Sequence, residues 1–122
     1  MASQFPGLFL HGGSQVAAYN EGFVLNSADA PAAGGSVLML FGTGFGSLAD
    51  MDESGLQWLA TIPTVTIGGL PAEVLFAGAA PGLPGVTQIN VRIPAGAAAG
   101  PAAIVITQGG VQAQVGLTAA VK

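Results

Sequence analysis

Along this chain apolar residues recur at every second position or in runs of five to eight, and turn residues interrupt them throughout. Period two sends alternate side chains to opposite faces of an extended strand, so the pattern predicts an all-β chain. Strands are expected over Ser36–Gly42, Thr64–Gly68, Ala72–Ala77, Thr87–Ile93, Ala102–Thr107 and Val111–Val121. Ile89, Val91 and Ile93 alternate with Gln88, Asn90 and Arg92, and Val65 and Ile67 with Thr64 and Thr66. Each strand then has one core face and one wet face, as in a half-buried antiparallel sheet. The expected core is Val37, Met39, Phe41, Val65, Ile67, Val91, Ile93, Ile104 and Ile106. Gln108-Gly109-Gly110-Val111 reads as a hairpin because its glycines supply positive φ, and Gly68-Gly69-Leu70-Pro71 reads as another.

Other segments are less regular. Ser47–Ile62 shows no sustained period and is expected to be a long connection holding a short helix or 3₁₀ turn, anchored by Trp58. Pro94–Pro101 reads as coil of small residues. Leu8–Leu10, Gln15–Asn20 and Phe23–Leu25 are expected as short strands and Ser27–Gly35 as a linker. Residues 1–35 thus form an expected N-terminal extension on a sandwich of residues 36–122. A lone hairpin is at best marginal in water. The large apolar residues Phe5, Leu8, Phe9, Leu10, Val16 and Tyr19 must therefore cover something, and pairing within the chain is expected over pairing with a second copy.

Composition narrows the setting. A chain of 122 residues, 51% hydrophobic, fits one domain with a real core. Charged residues make up 7% of it, against roughly 25% in ordinary soluble domains. Arg92 and Lys122 are the only fixed cations and the net charge is −4, which leaves nothing to neutralise a nucleic-acid backbone or dock on an anionic membrane. Cysteine is absent, so there is neither a disulfide framework nor a thiolate site. No apolar stretch reaches the ~20 residues that span a bilayer, so membrane insertion is not expected.

The segment with the strongest look of a chemical motif is Gly42-Thr-Gly-Phe-Gly46 at the end of an apolar run. A dinucleotide fingerprint needs G-x-G-x-x-G opening a helix after a strand, and a Walker loop needs Lys beside Ser or Thr. Here Gly42, Gly44 and Gly46 are spaced by two, no convincing helix follows and no lysine stands beside Ser or Thr. The glycines are expected to end a buried strand, allow a bulge and let Phe45 fold back on the core.

"GSVLMLFGTGFG", with the later "PTVTIGGLPAEVLFAGAAPGLPGVTQINVRIPAGAAAGPAAIVITQGGVQAQ", resembles the IPT/TIG immunoglobulin-like β-sandwiches. It is closer still to the uncharacterised bacterial repeat called the Solibacter C-terminal domain. The preceding "PGLF…G…QVAAYNEGFVLNSADAPAAGGS" fits the same family, so the resemblance runs from Pro6 onward. It departs at "LADMDESGLQWLAT", where a Pro- and Ala-rich stretch is expected. The resemblance implies an immunoglobulin-like sandwich serving as a C-terminal or tandem module of a large secreted or cell-surface protein, and it brings no catalytic residue set. Met1-Ala-Ser lacks the charged n-region and long h-region of a secretory signal, so either the protein stays inside or an upstream signal was removed, and that setting favours the second.

Single residues add little chemistry. His11 is the only histidine and has no partner that would make it a base or ligand. Asp50, Asp52 and Glu53 lack the spacing of a calcium loop and read as a solvated acidic turn. Trp58, Tyr19 and Phe23 would suit a sugar-stacking platform, but aromatics on a sandwich more often plug strands together. An autocatalytic isopeptide bond needs a buried lysine beside Asn or Asp and an acid, and Lys122 is terminal. No catalytic, cofactor or metal residue is assigned. The expected function is a non-catalytic structural or protein-interaction module that partners neighbouring domains or itself through β-edges. The alternative is a carbohydrate-binding module attached to a secreted enzyme.

Overall fold

The computed structural model describes residues 7–8, 18–22, 24–43, 45, 48–51, 53, 55–80, 85–108, 111–112 and 117–122. Among them the chain is all-β, with strands β1 (Gly7–Leu8), β2 (Ala18–Asn20), β3 (Val24–Leu25), β4 (Val37–Thr43), β5 (Leu48–Met51), β6 (Gln57–Leu59), β7 (Thr64–Ile67), β8 (Leu70–Ala79), β9 (Thr87–Arg92), β10 (Gly100–Gln108), β11 (Val111–Gln112) and β12 (Leu117–Val121). Pairing between these strands is antiparallel, and the sheet curls at β8, the longest of them. Leu70–Ala72 pair with β7, whereas Glu73–Ala79 pair with β9, with an irregularity between Val74 and Phe76. One layer is therefore β3-β2-β4-β9-β8 and the other runs from the start of β8 through β7 to β10, which also pairs with β11 and β12. Leu38, Leu40, Ile89 and Val91 of the first layer and Val65, Ile67, Ile104 and Ile106 of the second fill one common core.

Six of the nine expected core residues are buried there, but β4 has the opposite parity. Leu38 and Leu40 are fully buried, while Val37, Met39 and Phe41 are half-buried on the outer face. The run Val-Leu-Met-Leu-Phe is apolar at both parities, so its own alternation selects no face. Its neighbour does. Leu38 pairs with Val91 and Leu40 with Ile89, so the odd residues fall opposite Arg92, Asn90 and Gln88 on the wet face of β9.

Both expected hairpins have their flanking strands paired. Ile67 pairs with Leu70 across Gly68 and Gly69, whose φ values of 61° and 80° suit a type I′ turn. Gln108 pairs with Val111, the intervening glycines lying outside the described residues. Ser47–Ile62 differs from expectation, for β5 and β6 form a bulged hairpin and no helix occurs among the described residues. Trp58 does anchor it, pairing with Gly78 of β8. Strand β10 begins at Gly100, so Pro101 belongs to it rather than to the preceding coil.

Ser27–Gly35 is no loose linker. Ala32 is buried and bridges Val121 in parallel, its N–H donating to the Ala120 carbonyl (2.9 Å) while its carbonyl accepts from Lys122 N–H (2.9 Å). Just ahead, the fully buried Asn26 side chain donates to the Ala120 carbonyl (2.9 Å) and accepts from Ala120 N–H (2.8 Å). One amide side chain thus supplies both bonds that a strand residue would make. Upstream, β1 and β2 hydrogen-bond to β4 of the same chain.

Candidate functional site

The glycine loop leads from strand to strand. Gly42 is buried in β4 between Leu8 and Thr87, Phe45 is inserted in the core as expected, and the next element is β5. Gly44 and Gly46 lie outside the described residues. Buried Gln108 braces this corner, its amide nitrogen donating to the carbonyls of Phe45 (2.7 Å) and Thr61 (2.7 Å). Its carbonyl oxygen meets no donor among the described residues.

Other candidates separate. His11, Phe23 and Asp52 fall outside the described residues; Asp50 lies on β5 and Glu53 is exposed beyond it. Among the described residues no group of three or more His, Cys, Asp or Glu could hold a metal. Asn20, Glu21 and Lys122, the residue types of an isopeptide site, do share the wall of an open pocket of about 310 Å³. Lys122 is exposed, however, and the Asn20 amide donates to the Ala30 carbonyl (2.7 Å) and accepts from Asn26 (2.8 Å). A solvated ammonium and an engaged amide are poor reactants for that bond.

Register assembles a site on the outer face of the first layer. Leu25, Tyr19, Met39, Asn90 and Phe76 stand directly opposite one another in sequence across β3, β2, β4, β9 and β8. Beside them run Phe41, Gln88, Gly78 and Trp58, ending on β6. Val37, Arg92 and Glu73 form a third row. Tyr19 meets Phe41 edge-on with ring centroids 6.0 Å apart, and Trp58 meets Phe76 edge-on at 5.0 Å. Between these aromatic ends Gln88 Nε2 donates to Asn90 Oδ1 (2.9 Å). Arg92 Nε lies 3.6 Å from Glu73, and its Nη1 donates to the Gly35 carbonyl (2.8 Å).

The sequence marks part of this face. Gln88, Asn90 and Arg92 are legible as a wet stripe, and Tyr19 and Trp58 as aromatics of interest. Phe41 and Phe76 are not, because only the pairing of β4, β9 and β8 brings them to this side of the sheet, Phe41 half-buried and Phe76 buried against Trp58. Trp58 can approach Phe76 because β6 crosses β8 at Gly78, where a side chain would run into the Gln57 backbone. The chain matches no family model, no curated protein and no solved structure, so its function is read from this geometry alone.

Proposed function

We propose that the chain is a non-catalytic structural or protein-interaction module of a larger secreted or cell-surface protein, which joins neighbouring copies or domains through its sheet edges. The observation that carries this reading is the state of the edges. Natural edge strands are usually blunted by charge, proline or cover. Here β3 ends one layer with Val24 50% and Leu25 36% exposed, next to Tyr19 at 38%. Among the described residues β5 pairs only with β6, and its Leu48 and Met51 are 41% and 63% exposed. Unprotected apolar edges of this kind add strands from a partner.

The strand order supports an immunoglobulin-like sandwich, the fold that a resemblance to IPT/TIG domains implies. One layer contains β4-β9-β8 and the other β7-β10-β12, the arrangement in which immunoglobulin domains divide their strands. The parallel bridge of Ala32 with Val121 fits a first strand that changes layers to meet the last.

Light scattering across a dilution series tests the edge reading. The chain should gain mass with concentration, and Val24→Lys with Met51→Lys should hold it monomeric at an unchanged melting temperature. A chain that stays monomeric from micromolar to millimolar concentration refutes it.

A further inference from the structure

We propose that the outer face of the first layer binds a neutral polysaccharide chain laid across the strands, with Tyr19 and Trp58 as terminal stacking rings and the Gln88–Asn90 couple as the central hydrogen-bonding group. The two rows give the site its scale. From Tyr19 on β2 to Trp58 on β6 lie four inter-strand steps, roughly 19 Å in all. A pyranose ring is about as long as one such step, so about four sugars span the face.

The chemistry along that span suits hydroxyl groups. The bond from Gln88 to Asn90 uses one amide hydrogen of the first and the carbonyl of the second. It leaves the Gln88 carbonyl as acceptor and the Asn90 NH₂ as donor, and a sugar hydroxyl both donates and accepts. Each terminal ring is held by its edge contact with a phenylalanine, so stacking on it sacrifices little side-chain freedom.

Charge and layout select the ligand class. The one cation of this face, Arg92, sits against Glu73, and Glu21 accepts from Val37 N–H at the same end of β4, so an acidic chain meets more carboxylate than guanidinium. A protein interface has an apolar centre and a polar rim. This face has no such division, since Gln88 and Asn90 lie beside Met39 between the aromatic pairs.

The proposal does not rest on edge pairing. Affinity electrophoresis of the whole chain through gels containing mixed-linkage glucan, galactomannan, xyloglucan or amylose tests it, with polygalacturonate as the acidic comparator. Retardation is expected in at least one neutral gel. Gln88→Ala and Asn90→Ala, both on the wet face, should each weaken it about tenfold with the melting temperature unchanged. Passage through every neutral gel without retardation, retardation by polygalacturonate alone, or variants retarded as strongly as the parent chain would each overturn the assignment. Self-association is read separately by light scattering, so either reading can fail without the other.

Discussion

Replacing Gly78 by alanine adds one methyl group where the structure has no room for it. The new Cβ would sit inside the contact distance of the Gln57 carbonyl oxygen, 2.9 Å from its carbonyl carbon and 2.8 Å from Phe76 Cζ. Two of these three atoms are backbone, so no rotamer change clears the clash. The chain has two responses. Keeping β6 in place stores overpacking strain of about 1–3 kcal/mol. Releasing β6 forfeits the Trp58–Phe76 ring pair, about 0.5–1.5 kcal/mol, and much of the burial of Leu59, about 1.5–3 kcal/mol. Release thus costs about 2–4.5 kcal/mol, and since the cheaper response sets the cost, about 2–3 kcal/mol is expected. For a domain of this size that corresponds to a melting temperature lower by roughly 6–12 °C. Trp58 is the only tryptophan, so its emission reports on β6 alone while circular dichroism reports on the sheet. Red-shifted emission with a native dichroism spectrum would mark release of the β5–β6 hairpin. A variant with unchanged emission and stability within about 0.5 kcal/mol of the parent would refute the close approach of β6 to β8.

Asn26→Ala removes the side chain that pairs with both polar groups of Ala120, and a loss of about 2–4 kcal/mol is expected in urea unfolding. Asn26→Asp should be as damaging at neutral pH, since a carboxylate cannot donate to the Ala120 carbonyl. The protonated acid can donate, which raises its folded pKa above the unfolded value, so this variant should regain stability as pH falls through the carboxylate range. An Asn26→Asp variant whose deficit is the same at acid and neutral pH would count against the pairing. Gln108→Ala strands the buried Phe45 carbonyl and frees that of Thr61 near the surface, for an expected loss of about 2–3 kcal/mol by the same measurement; a loss below about 1 kcal/mol would show that water replaces the amide.

What the sequence discloses depends on whether a segment carries its own instructions. Strand β9 does, because Gln88, Asn90 and Arg92 leave only one face for Ile89 and Val91. The Gly68-Gly69 turn does too, since both positions need positive φ. Strand β4 does not: five apolar residues in a row fit either parity, and the choice is made by a strand some fifty residues later. Strands β5 and β6 have four and three residues, too short for a period to show, and the acids among them suggest a loop. Asn26 in "LNSAD" reads as a turn residue, and its burial depends on Ala120, 94 positions away. The candidate face is legible in the same measure. Its amides show in the alternation of β9, but the rows that bring Phe41 and Phe76 beside them exist only once the register is known.

The parallel contact of Ala32 with Val121 has a mechanical side. Parallel neighbours have their starts at the same end, so tension applied to the chain before Ala32 and after Lys122 slides one segment along the other. The Ala32 N–H to Ala120 bond, the Lys122 N–H to Ala32 bond and the two Asn26–Ala120 bonds then share the force as a patch in shear. An antiparallel pair pulled at its open end would instead unzip bond by bond. Within a string of domains under load, this corner would give way abruptly rather than by gradual peeling, and the single buried amide of Asn26 would carry about half of its hydrogen bonds.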